Sequence, residues 1–100
     1  MQTEAELVSE ILAGHPDAFR KLVRRYERLV AAMVGRVLQG QSDELDVCQE
    51  VFVRVFRKLH TFKQESRLST WIAKVAYRTA LNHLVSRKLN YHLQSRWIYS

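Results

Sequence analysis

Phe62, Lys63, Gln64, Ser66, Arg67, Trp71, Lys74, Arg78 and Asn82 crowd aromatic rings, cations and amides into one short stretch of the chain. Their chemistry would be non-covalent. A ring can stack on an unpaired base while Lys or Arg holds the phosphate beside it. An asparagine can hydrogen-bond a base edge. Taken singly, Phe62 and Trp71 also fit a buried core. The whole surface, too basic for a core and too apolar for plain solvent, favours single-stranded nucleic acid. A second set, Asp46, Gln49, Glu50, Val53, Arg54 and Arg57, falls at helical spacing on one side of the preceding segment. Ordinary solvent exposure with i,i+4 pairs such as Glu50–Arg54 would account for it. The functional account is a protein-docking face, on which acids, bases, Gln49 and exposed Val53 meet a complementary charged helix.

Nothing marks covalent chemistry. The histidines are His15, His60, His83 and His92, and none is spaced like a helical ligand pair. H-E-x-x-H and a Gly-rich phosphate loop are both missing. Ser86 and Ser95 lack a marked base that would turn either into a nucleophile. Cys48 is the single cysteine, so it has no partner for an internal disulfide or a metal pair and reads as a structural thiol. The expectation is a binding domain with no enzymatic activity, no cofactor and no metal.

These residues need helices to position them. Thr3 caps a first helix with Glu6 placed as in a capping box, and Leu7, Val8, Ile11 and Leu12 form its apolar stripe. Gly14-His15-Pro16-Asp17 ends it and opens a second helix from about Asp17 to Leu38. A turn follows, with Ser42 or Asp43 as the cap of a third helix that runs to Leu59 or His60. On a helical wheel Leu45, Cys48, Val51, Phe52, Val55, Phe56 and Leu59 share its buried arc, and Val47 and Val53 fall on the polar side. Thr61 to Leu68 is a polar loop. Ser66 or Ser69 caps a fourth helix that runs to about Lys88 and buries Ile72, Ala73, Ala76, Tyr77, Ala80, Leu81 and Leu84. The fold expected is all-α: a compact four-helix domain over residues 1–90, with 91–100 as a tail or the start of a linker.

The chain has 100 residues, 47% of them hydrophobic, enough for one domain with a real core. Its net charge of +6 favours a polyanionic partner. The charge is unevenly placed. Residues 61–100 carry seven basic residues against Glu65 alone, while residues 41–60 carry three basic and four acidic ones. The polyanion surface therefore belongs to the last forty residues. No stretch approaches the roughly 20 apolar residues of a membrane span, and the acidic start is unlike a secretory signal. A cytoplasmic protein without a membrane partner is expected.

The motifs G-H-P-D-A-F-R-K-L-V-R-R-Y, D-V-C-Q-E-V-F-V-R-V-F and F-K-Q-E-S-R-L-S-T-W-I-A-K-V-A, in this order and spacing, resemble region 2 of bacterial sigma factors, specifically the extracytoplasmic-function group. The resemblance runs from about Leu7 to Lys88. It implies a four-helix domain whose third helix docks on a coiled coil of the RNA polymerase β′ subunit through Asp46, Gln49, Glu50, Val53, Arg54 and Arg57. It also implies recognition of the promoter −10 element on the non-template strand, with a base flipped into a pocket beside the Thr61–Leu68 loop. Lys74, Arg78 and Asn82 would supply phosphate and base contacts. Strand opening would then follow from preferential binding of the open strand, without hydrolysis. An anti-sigma factor is a further partner that the resemblance brings.

Two departures stand out. The family often has Asn where this chain has Arg78, and Arg would hold phosphate or guanine more readily. The second helical domain, which reads the −35 element, has no room in this length, so a fragment ending in the interdomain linker is expected rather than an unusual single-domain protein. Two rival readings remain at this stage. One is a helix-turn-helix regulator of duplex DNA, against which the long Thr61–Leu68 loop counts. The other is a purely protein-binding helical module.

Overall fold

The computed structural model describes residues 2–40 and 43–99, with side chains through Leu89. Four α-helices carry it: α1 (Glu4–Leu12), α2 (Ala18–Leu38), α3 (Glu44–Lys58) and α4 (Leu68–Tyr99), with a single 3₁₀ turn, Leu59–Thr61, closing α3. The all-α expectation holds. α2, α3 and α4 pack pairwise into the body of the domain, and α1 lies against α2 and the 3₁₀ turn.

The core is built from residues four apart. Leu22, Tyr26, Val30, Val34 and Leu38 line α2; Val47, Val51, Val55 and Leu59 continue along α3; Leu68, Ile72, Ala76 and Ala80 line α4. Such i,i+4 rows are the ridges by which helices interlock. The alanines and valines of α3 and α4 keep the helices close. Leu7, Val8 and Ile11 bring α1 down on the same core.

The helix limits have local causes. Glu6 N–H donates to Thr3 Oγ1 at 3.1 Å, the cap expected of Thr3. Gly14 takes a φ of +87° just past α1, which glycine adopts without steric cost. At the end of α2, Gln39 itself is left-handed and its N–H returns to the Gly35 carbonyl. Gly40 follows in the same region of backbone space, and its N–H donates to Glu44 Oε1 at 2.8 Å. Ser42 lies outside the described residues; Asp43 holds the cap position of α3, but its side chain makes no cap bond. The Asp43 carboxylate turns to α4 instead, accepting from Arg87 Nη1 at 2.6 Å and lying 3.2 Å from His83 Nε2.

Several expectations need correction. The buried line of α3 is rotated from the wheel reading: Val47 is 1% exposed, whereas Leu45 and Phe56 are 71% and 57% exposed. α3 packs against both α2 and α4, so its inner line faces the seam where those two helices meet, and the narrow row of valines fits there. On α4, Tyr77 and Leu81 are exposed, and Thr79 is buried in their stead. Its hydroxyl is satisfied by donating to the Val75 carbonyl at 2.7 Å. Neither Ser66 nor Ser69 caps α4. Arg67 holds the cap position, its carbonyl accepting from Trp71 N–H at 3.1 Å. The helix also continues beyond Lys88 to Tyr99, because no Gly or Pro follows Gly40 to break it.

Candidate nucleic-acid interface and docking face

The segment between α3 and α4 is shaped by short-range bonds. The Thr61 hydroxyl donates to the Lys58 carbonyl at 2.6 Å, and Phe62 N–H donates to the Leu59 carbonyl at 3.0 Å. These bonds fix the exit from α3. Gln64 then adopts a φ of +59°, a left-handed conformation uncommon for a residue other than glycine. The turn brings Phe62 back onto α4, where its ring lies 5.5 Å from that of Trp71 at an interplanar angle of 47°. Both rings are half-buried. They pack against the core while staying partly open to the surface, so each ring is in part a core residue.

Around this ring pair the loop residues form a hollow of about 420 Å³, lined by Thr61, Phe62, Lys63, Ser66, Trp71 and Lys74 together with Glu65. A second hollow, about 280 Å³, also bordered by Trp71, opens between the end of α3 and the start of α4. Lys74 and Arg78, one helical turn apart, line it from α4; Arg54 and Lys58 line it from α3. Gln64, Ser66 and Arg67 lie on the other flank of the loop, with Phe62, where they meet Thr3, Glu4 and Ala5 of the chain start. Asn82 is exposed one turn beyond Arg78 on α4.

Glu4 organises that flank. Its Oε2 accepts the Leu68 N–H at 3.1 Å, and its Oε1 lies 4.0 Å from Arg67 Nε. A carboxylate is well placed there, at the positive end of the α4 dipole. Neither Glu4 nor Lys58 stood out in sequence. Glu4 looked only like a first-turn acid, and Lys58 like one more solvated base.

The docking set stands on the outer side of α3. Asp46, Gln49, Glu50, Val53 and Arg57 are exposed, and Arg54, half-buried, pairs with Glu50 at 2.9 Å. Leu45 and Phe56, expected in the core, share this side, and Phe56 rests edge-on against Phe19 of α2 at 5.0 Å between ring centroids. The face is therefore more apolar than the sequence reading allowed. Arg54 is the exception in the set, since it reaches the cleft shared with α4.

Among the described residues no three His, Cys, Asp or Glu side chains gather as a metal site, and no helix is long and apolar enough to cross a membrane. Cys48 is half-buried, and burial, with the Glu44 carboxylate adding to it, pushes its thiol above the usual range. A thiol held protonated is a poor nucleophile.

Comparison with known proteins agrees with this geometry. Residues 22–89 match the family described as Sigma-70 region 2. Over 85 residues the chain is 38% identical to the ECF RNA polymerase sigma-E factor of Escherichia coli K12, covering 85% of this chain and 44% of that protein. Over 86 residues it is 33% identical to the RNA polymerase sigma-H factor of Pseudomonas aeruginosa, covering 86% of this chain and 45% of that protein. The chain thus spans less than half the length of these curated relatives. The NMR structure of a complex formed by an engineered region 2 of sigmaE with GTAAAA resembles it with a TM-score of 0.79 and 37% identity, over 87% of this chain and 90% of that one. Family match, identity and shape agree: the chain belongs to the Sigma-70 region 2 family, and within it to the ECF type.

Proposed function

We propose that this domain recognises the promoter −10 element as an open non-template strand and docks on RNA polymerase during transcription initiation. The observation that carries it is the ring pair Phe62–Trp71, set beside Lys63 and Lys74 in a surface hollow. A π-face next to a cation binds a flipped base and its phosphate, and duplex DNA offers no unstacked base to such a site. Binding the open form alone shifts the equilibrium toward strand separation by the difference in affinity, with no catalytic step. The solved relative, a region 2 held on GTAAAA, supports the same class of ligand.

Docking is the task of the outer face of α3. Asp46, Gln49, Glu50, Val53 and Arg57, with Leu45 and Phe56 between them, would meet the coiled coil of the polymerase β′ subunit. An anti-sigma factor would act by covering the same surfaces. The domain would work as a specificity subunit in the cytoplasm, with no reaction of its own.

The experiment is a binding series with the 100-residue chain, using single-stranded GTAAAA, scrambled hexamers and the matching duplex. The expected result is preference for one single-stranded sequence over its scrambles and over duplex. Tighter binding to duplex would turn the reading toward a helix-turn-helix regulator. Salt-independent or absent binding to both would leave a protein-binding module.

A further inference from the structure

Arg54 and Lys58 stand one turn apart on α3, and Lys74 and Arg78 one turn apart on α4; all four line the cleft between the two helices. Like charges at i,i+4 destabilise a helix, and here two such pairs also face each other. Glu50 relieves Arg54 through their 2.9 Å contact. Among the described residues no carboxylate lies within ion-pair distance of Lys58, Lys74 or Arg78. Four cations around one cleft, with Glu50 paired to Arg54 alone, repel one another, and an anion placed in the cleft offsets that repulsion.

The floor of the cleft narrows the choice of anion. Val75 and Thr79 line its base, and the Thr79 hydroxyl is already used on the Val75 carbonyl, leaving little polar recognition below the cations. Its wall is Trp71, the same ring that backs the base hollow, and Thr61 and Lys74 border both cavities. The two hollows are therefore neighbours that share Thr61, Trp71 and Lys74. A strand with a base against Phe62–Trp71 carries its next phosphate past Trp71 toward the four cations. An acidic protein helix would have no use for the adjoining ring hollow.

Resting on the function proposed above, we infer that this cleft is a backbone-phosphate seat for the single strand, that Arg54 is a nucleic-acid contact rather than part of the polymerase-docking face, and that Lys58 is a second such contact. Arg54 exchanges Glu50 for phosphate when the strand arrives. Lys58 supplies charge without reading sequence, as a phosphate contact does.

The test is the salt dependence of binding to a single-stranded oligonucleotide containing GTAAAA. Each phosphate neutralised on a single strand contributes a slope of about 0.7 in log K against log salt. Arg54→Ala and Lys58→Ala should each flatten the slope by about that amount and weaken all sequences alike. Arg36→Ala, an equal loss of charge on α2, should leave the slope unchanged. Glu50→Ala should tighten binding a few-fold by releasing Arg54. If Arg54→Ala and Lys58→Ala behave like Arg36→Ala while the wild type still prefers its strand, the phosphate seat is wrong and the parent reading stands. If the wild type binds no single strand, both fall. If the two variants lose β′ coiled-coil binding with an unaltered DNA slope, both residues belong to the docking face and the inference is overturned.

Discussion

Glu4 Oε2 accepts the backbone N–H of Leu68 at 3.1 Å across a separation of 64 residues. The first turn of α1 thus supplies the anion that the first turn of α4 needs, and the loop carrying Phe62 to Arg67 is pinned at its C-terminal end. Because α4 begins there, this bond also sets where Trp71 and Lys74 stand relative to the loop.

Glu4→Ala should therefore act on two observables at once. Loss of a helix cap costs about 0.5–2 kcal/mol, readable as a lower denaturation midpoint with unchanged denaturant slope. Selectivity for the preferred single strand over scrambles should fall further than affinity for a generic strand, since base placement suffers more than net charge. Glu4→Gln keeps an acceptor and should recover part of both. Selectivity equal to wild type in Glu4→Ala would show that the loop holds its shape without the bond.

Phe62 and Trp71 should behave as a coupled pair. A base stacked on an aromatic side chain is worth about 1–3 kcal/mol by alanine substitution. Phe62→Ala and Trp71→Ala should each weaken single-strand binding by that order, measured by fluorescence anisotropy with a labelled oligonucleotide. With ring centroids 5.5 Å apart, the double variant should lose less than the two single losses combined, because either truncation already spoils the shared platform. Full additivity would place the base on one ring alone.

Much of the domain was legible because its causes are local. Thr3, Gly14 and the row Leu22–Tyr26–Val30–Val34–Leu38 declare helix limits and a buried face through caps, backbone freedom and spacing. The ring-and-cation loop was legible by composition. What escaped depends on three dimensions. The rotation of α3, which buries Val47 and exposes Phe56, follows from two neighbours that one helix's wheel does not contain. The bond of Glu4 to Leu68, and the cleft that Lys58 shares with the α4 cations, join elements far apart in sequence or set by a crossing geometry. The continuation of α4 past Lys88 has only an absence of breakers behind it, which is a weak signal in a string of letters.

The exposed pair on α3 gives a prediction that separates the two surfaces. Leu45→Asp and Phe56→Asp each place a charge on an apolar part of the proposed docking face. Truncation of an interface anchor costs about 2 kcal/mol or more, so binding to the β′ coiled coil should drop at least tenfold for one of them. Single-strand binding should be unaffected, since neither side chain lines the loop hollow or the cleft. Loss of DNA binding in step with loss of coiled-coil binding would mean that the two faces are not independent.

Tyr26 gives a prediction for alkaline pH. Its hydroxyl is buried, with no hydrogen-bond partner among the described residues. Burial raises its pKa above the ordinary value of 10.0; the Arg25 guanidinium pulls the other way, and the Glu4 carboxylate adds to the rise. A group whose folded pKa is raised contributes stability that is fully present below its unfolded pKa. Above about pH 10 the unfolded chain ionises first, so unfolding releases a proton and stability falls as pH rises through the folded pKa. Tyr26→Phe removes the titrating group. Its stability near neutrality should stay within about 1 kcal/mol of wild type, because the hydroxyl lost makes no hydrogen bond of ordinary length and angle, only a weaker approach to the Glu4 carboxylate. Denaturant melts of the two proteins from pH 8 to pH 11 provide the check, and their difference cancels the lysines that titrate over the same range. The wild type should lose stability relative to Tyr26→Phe above about pH 10. Parallel curves over the whole range would mean that the phenol ionises as readily folded as unfolded, and that the buried ring does not hold its proton.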